Sequence, residues 1–135
     1  MTERTSLKVF LSYSDRDRDW AREFASELRE RGVSAWFDAS ELGPGEPWKE
    51  RIADALRESR VLVLIVSPGA LRSRWMLFEL GAAVADNKQI IPVLVGDISL
   101  DDVPPLVFRY QALRESSPRI AGQRVAEAIS KLDAA

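Results

Sequence analysis

Residues Val61-Leu62-Val63-Leu64-Ile65-Val66 form an unbroken apolar run, mostly β-branched, closed by Ser67-Pro68-Gly69. A strand with no polar alternation is covered on both faces, and such strands belong to parallel sheets flanked by helices. That run therefore demands layers above and below it, and the rest of the chain supplies them. Leu7–Ser12 reads as a first strand, and the turn Ser14 to Asp19 leads into a helix with Trp20, Phe24 and Leu28 one turn apart. Gly32 ends that helix as a C′ residue, and Ser34–Asp38 is a short second strand.

Ala39 to Pro47 is a loop holding Gly43-Pro44-Gly45, and Pro47 opens a helix with Ile52 and Leu56 inward. Val61–Ser67 is the third strand, followed by a helix carrying Trp75 and Glu79 and ending near Asn87. Gln89–Val95 is the fourth strand. Pro92 inside it fits only a bulge or a place where ladder pairing has ended. Leu106–Arg109 is expected as a fifth strand, and the last helix runs from about Pro118 to Leu132 with Ile120, Val125, Ile129 and Leu132 as its stripe. The pattern predicts one flavodoxin-like α/β domain over residues 7–133, behind a flexible segment 1–6. Its five-stranded parallel sheet takes the order 2-1-3-4-5, with helices on both faces.

That order places a topological switch between the first and third strands, where open sheets of this kind bind ligands. The strand ends there are Ser12-Tyr13-Ser14-Asp15 and Ser67-Pro68-Gly69. Glu79 belongs to an element leaving the same edge and is the only charged residue between Trp75 and Ala85. A carboxylate in such apolar surroundings costs stability unless it is paired or used. Trp75 lies four residues earlier, so indole and carboxylate share a helix face.

Composition narrows the chemistry. The 135 residues contain no Cys and no His, which excludes thiol nucleophiles, imidazole bases and the usual zinc sites. Carboxylate chemistry leads by elimination. A net charge of −2 gives no broad attraction for nucleic acid or anionic lipid. The polar start Met1-Thr2-Glu3-Arg4-Thr5-Ser6 precedes no signal-peptide core, and no apolar run spans a bilayer. The expectation is a cytoplasmic protein, or a soluble domain of a longer one, without metal, nucleic-acid or membrane partners.

Each candidate feature also has a plain structural reading. The Ser hydroxyls and Arg16 in Tyr13 to Asp19 fit a phosphate- or ribose-holding loop, or a solvated charged turn in which an Asp caps the helix. Trp36 in Trp36-Phe37-Asp38 fits a stacking platform for a flat ring, or a core aromatic. The Gly43-Pro44-Gly45 loop fits a flap over the pocket, a contact surface for another copy, or a turn. Glu79 fits an active-site carboxylate, or one half of an ion pair with Arg51, Arg72 or Arg74.

In order and spacing these pieces resemble a TIR (Toll/interleukin-1 receptor) domain over nearly the whole chain. The first box resembles Val9-Phe10-Leu11-Ser12-Tyr13-Ser14 with Asp15 and Asp19 behind it. The second resembles Trp36-Phe37-Asp38 through Glu41-Leu42-Gly43-Pro44-Gly45 to Trp48, then Ile52 and Ala55-Leu56. The third resembles Val63-Leu64-Ile65-Val66-Ser67-Pro68, then Ser73-Arg74-Trp75 and Glu79-Leu80. Ile90-Ile91-Pro92-Val93 also fits. Met76 stands where many members carry Cys, a position outside the chemistry.

The family contains signalling scaffolds and enzymes that cleave NAD, and the enzymes carry the Trp-x-x-x-Glu seen here from Trp75 to Glu79. The resemblance implies Glu79 as the catalytic acid and Trp36 against the nicotinamide. It also implies a cleft lined by Ser12, Tyr13, Ser14, Leu42, Gly43, Ser67 and Trp75. NAD would be a substrate rather than a cofactor. Its nicotinamide is a pyridinium that departs neutral, so one carboxylate near the ribose suffices to stabilise an oxocarbenium-like transition state. The products expected are nicotinamide with ADP-ribose or a cyclic ADP-ribose isomer, in a defence or signalling (innate-immunity) role. Activity would be switched on by TIR–TIR self-association that orders the Gly43-Pro44-Gly45 loop, under a sensor on a fused domain or a partner.

Two alternatives stand beside this one: a TIR–TIR scaffold without catalysis, and a nucleoside deoxyribosyltransferase-like N-glycosidic enzyme. A phosphoacceptor receiver would want Asp where Ser67 stands. A flavodoxin would want a phosphate loop free of Asp15, Asp17 and Asp19.

Overall fold

The structure, a computed structural model, describes residues 8–33, 35–37, 54, 57–72 and 88–134. Five parallel strands form one sheet: β1 (Val9–Ser12), β2 (Ala35–Phe37), β3 (Val61–Val66), β4 (Gln89–Leu94) and β5 (Leu113–Arg114). Their order is β2-β1-β3-β4-β5, so the chain leaves β1 in one direction for β2 and returns on the other side for β3. The expected topology and switch point are both present.

All six side chains of β3 are buried, which is what its unbroken apolar run requires. They alternate between two cores. Val61, Val63 and Ile65 pack with Val9, Leu11 and Val93 beneath α1 (Arg18–Glu30) and the last helix (Pro118–Ala134). Leu62, Leu64 and Val66 pack with Phe10, Ile90 and Leu94 on the opposite face, which Ile98, Val103 and Val107 help to close. Residues 54, 57 and 58 are helical, as expected of the helix bearing Ile52 and Leu56. The remainder of that helix, the Ala39–Pro47 loop and the helix bearing Trp75 and Glu79 lie outside the described residues.

Local chemistry sets the ends of α1. It buries Ala21, Phe24, Ala25 and Leu28 on one stripe. Gly32 follows at φ 85°, a left-handed conformation that needs no Cβ. There its N–H reaches Arg29 O (3.0 Å) and the Val33 N–H reaches Leu28 O (2.8 Å), the paired bonds of a Schellman stop. In the last helix, Ala121, Val125, Ala126 and Ile129 are buried, whereas Ile120 is 42% exposed. The inward stripe thus begins one residue later than the expected Ile120. Gly122 explains the shift, because a Cβ there would sit 2.7 Å from Glu27 Cβ and 3.2 Å from Phe24 O. The two helices touch where that side chain is missing.

The expected fifth strand at Leu106–Arg109 is corrected. Pro105–Arg109 is a 3₁₀ turn, and the strand is Leu113–Arg114, paired with Val93 and Leu94. Pro105 occupies the first turn, where its fixed φ suits a helix and its missing N–H is harmless. Val107 is fully buried, while Phe108 is 47% exposed. A short apolar run does not by itself separate strand from helical turn.

Pro92 lies within β4, and its ladder to β3 is unbroken from Gln89 to Leu94. Gln89 N–H donates to Arg60 O and Val95 N–H to Val66 O, so the odd-numbered amides face β3. Pro92 turns its nitrogen to the other side, where pairing to β5 begins only at Val93. No bulge is needed.

Candidate functional site

The site is built where β1 and β3 end side by side, with Ser12 opposite Leu64 in the ladder. Ser12 closes β1 and is buried, and Tyr13 turns toward the core beneath α1. The chain then tightens into a 3₁₀ turn at Asp15–Asp17, with Asp17 N–H bonded to Ser14 O at 2.9 Å. Asp17 occupies the N-cap position of α1, yet its side chain makes no capping bond. An Asp side chain that caps a helix contributes typically about 1 kcal/mol, so α1 forgoes that contribution at this end.

The Asp17 carboxylate is engaged elsewhere. Its Oδ2 accepts the Ser14 hydroxyl at 3.0 Å and also the hydroxyl of Ser67, which lies beyond the end of β3. Ser67 is 2% exposed, and its Oγ accepts the Ala70 N–H at 3.1 Å while its carbonyl accepts the Leu71 N–H at 3.0 Å. These two bonds start the 3₁₀ turn Ala70–Arg72. Asp17 is therefore a clasp across the switch point: it ties the β1 exit to the β3 exit and to the turn that follows. Gly69 seals the contact. A Cβ at Gly69 would lie 3.0 Å from Ser14 Oγ and 3.6 Å from the Arg16 side chain, so a side chain here would press on the Ser14 hydroxyl.

The rim continues along the same edge. Gly96, at φ 82° just after β4, donates its N–H to Ser116 Oγ at 3.2 Å and lies against Pro68. Trp20 stacks on Phe24 with centroids 5.3 Å apart and donates its Nε1–H to Ser116 O at 2.8 Å. The exits of β3, β4 and β5 are thereby linked to the start of α1.

Of the residues selected from sequence, Ser12, Tyr13, Ser14 and Ser67 are gathered at this edge. The backbone of Trp36 lies in β2, the strand next to β1. Leu42, Gly43, Pro44, Gly45, Trp75 and Glu79 lie outside the described residues. Asp17 was missed as a site residue, because alternating charge reads as surface. Its proximity to Ser14 is visible in the spacing, but its second partner is 50 positions away. Among the described residues no group of three or more Asp or Glu side chains forms a metal-binding cluster. No helix among them is long and apolar enough to cross a membrane.

With this geometry in place, the chain can be set beside known proteins. The profile of the TIR-domain family matches residues 9–126. A protein of Brachypodium distachyon named as a probable 2′ cyclic ADP-D-ribose synthase is 35% identical over 98 residues, covering 71% of this chain and 43% of its own. A protein of Escherichia coli named as an NAD(+) hydrolase is 30% identical over 95 residues, covering 66% of this chain and 31% of its own. Among solved structures, a metazoan TIR-STING receptor from C. gigas, in complex with 2′,3′-cGAMP, superposes with a TM-score of 0.77 at 29% identity. The match covers 93% of this chain and 40% of the receptor. The chain spans between 25% and 43% of the length of the first curated relatives it matches.

Proposed function

The chain belongs to the TIR-domain family, and from that premise we propose that it is an NAD glycohydrolase. The observation that carries this reading is that relatives named NAD(+) hydrolase and 2′ cyclic ADP-D-ribose synthase align over about two thirds of the chain. The switch-point edge supports it, because Ser67 there opens the turn that leads toward Trp75 and Glu79.

In this reading Glu79 hydrogen-bonds the ribose next to nicotinamide and stabilises the positive charge that develops as the N-glycosidic bond breaks. The pyridinium leaves neutral, so no general acid is required. Trp36 stacks on the nicotinamide, and Ser12, Tyr13, Ser14, Leu42, Gly43, Ser67 and Trp75 line the cleft. Water attacking the ribosyl carbon gives ADP-ribose; attack from within the same molecule gives a cyclic isomer. Self-association that orders the Gly43-Pro44-Gly45 loop would activate the enzyme, under the control of a sensor.

Incubation of concentrated protein with NAD, followed by chromatography, tests this. Nicotinamide should appear with one ADP-ribose product, and Glu79→Ala should lower the rate at least about a hundredfold. Unchanged turnover in that variant rejects the role of Glu79. A second reading, a TIR–TIR scaffold without catalysis, is favoured by the similarity to the metazoan receptor. Intact NAD above a protein that has been forced to cluster would establish it.

A further inference from the structure

We propose that the Ser12 hydroxyl is an unspent hydrogen-bonding group, kept for the nicotinamide-ribosyl end of NAD and approached on the sheet face opposite α1. The inference rests on the NAD reading above and refines it to one face and one side chain.

Ser12 closes β1 and is 5% exposed. Among the described residues its hydroxyl neither donates nor accepts a hydrogen bond. Ser67, buried at the neighbouring strand end, differs: its hydroxyl donates to Asp17 and accepts the Ala70 N–H. A buried hydroxyl without a partner costs free energy, and native folds hold few such groups. One that is kept at a ligand-binding edge is explained by a partner that arrives with the ligand.

Its direction follows from the pleat, since side chains alternate along a strand. Val9 and Leu11 pack in the core beneath α1, whereas Phe10 packs in the opposite core with Leu62, Leu64 and Val66. Ser12 lies two residues after Phe10 and shares its face. Ser67 lies one residue after Val66 and turns the other way, toward Asp17 at the start of α1. Beyond Ser67 the chain crosses to the side of Ser12, for Ala70 is buried in that core and Leu71 packs against it. The segment that goes on to Trp75 and Glu79 therefore sets out on the face to which Ser12 points. The switch point is divided between a bonded clasp on the α1 side and a free hydroxyl, at the tip of an apolar core, on the other.

A serine hydroxyl gives one hydrogen bond and accepts others. It suits neutral groups that do the same, which in the nicotinamide-ribosyl end of NAD are the ribose hydroxyls and the carboxamide. Ser12 is thus a ligand-contacting residue that lowers stability while the site is empty.

The test opens with urea unfolding in the absence of ligand. Ser12→Ala should raise the midpoint, because it deletes a buried polar group that has no partner. A lowered midpoint would mean that the hydroxyl is bonded within the fold, and it overturns the proposal. NAD, nicotinamide riboside and adenosine monophosphate are then titrated in separate arms against the ¹⁵N-labelled parent and variants. Ser12→Ala should bind NAD and the riboside about fivefold to tenfold more weakly, the effect of one lost hydrogen bond, and the monophosphate as the parent does. Ser12→Cys, which fills the same space with a weaker hydrogen-bonding group, should behave alike and so separates the lost bond from any repacking. NAD affinity unchanged in both variants overturns the role of Ser12 and leaves the NAD reading standing. A loss for the monophosphate as large as for the riboside overturns the assignment to the nicotinamide end. A parent whose amides none of the three ligands shifts overturns both readings.

Discussion

Among the described residues, two seams are closed by opposite means. The seam between α1 and the last helix is made by removing a side chain: Gly122 lets backbone and Glu27 stem close on each other above an apolar layer of Phe24, Val125 and Ile129. The seam between the β1 and β3 exits is made by adding polar groups, with Ser14, Asp17, Ser67 and the Ala70 amide in one connected set. A close-packed seam tolerates no intruder, since interiors pack like crystals and a single methyl group is felt. A hydrogen-bonded seam keeps spare lone pairs and can meet a ligand. On the NAD reading, the contrast predicts losses of stability from changes on the helix side and losses of NAD turnover from changes at the strand ends.

The largest effect should come from attacking the first seam. Gly122→Leu forces carbon atoms into space already held by Glu27 and the Phe24 carbonyl. Overpacking of this kind costs about 3 kcal/mol. Urea unfolding should show the loss, while the protein that remains folded should bind NAD with normal affinity. A binding defect equal to the stability defect would mean that the seams are not separable.

The second seam should show the reverse pattern at a smaller cost. Ser67→Ala removes the hydroxyl that joins Asp17 to the Ala70 amide, leaving a buried N–H without its partner. That costs roughly 1–2 kcal/mol of stability. Nicotinamide release should fall by a larger factor than the fraction unfolded explains, and chromatography of the NAD reaction with a parallel melt separates the two. A rate that merely tracks the folded fraction would make Ser67 structural alone.

How legible each seam was in the sequence follows from its physics. Strand order was readable because the unbroken β3 run and the amphipathic α1 have strong, different periods, and the switch point follows from the order. Ser12, Tyr13, Ser14 and Ser67 could then be placed by counting to the strand ends. The clasp was not readable. Asp17 stands among Asp15, Arg16, Arg18 and Asp19, and nothing local singles it out as the carboxylate that bonds Ser67. β5 was misplaced because two residues, Leu113 and Arg114, are too few to show a period, and Leu106-Val107-Phe108 offered a stronger apolar signal. A glycine inside a helix costs stability on its own, and the reason for Gly122 shows only in its neighbour Glu27 across the seam.

The smallest expected effect lies on the polar margin of the helix seam. Arg31 Nε donates to Glu27 Oε1 at 3.0 Å. That bond, foremost, holds the Glu27 carboxyl below the ordinary glutamate value of 4.5; burial opposes it, and Gln123 and Arg119 of the last helix add to the lowering. A carboxyl whose folded pKa is depressed contributes stability that is present above its unfolded value and lost as pH falls through the folded one. Glu27→Gln should therefore be slightly less stable than the parent at neutral pH. The two proteins should converge in acid, once pH has fallen below the lowered folded-state pKa of Glu27. Because Arg31 is well exposed, solvent screens the pair and the difference should be modest. Urea midpoints measured across that range decide it. A gap that persists undiminished in acid would show that Glu27 matters here for its aliphatic stem against Gly122, and that this margin too is held by volume rather than charge.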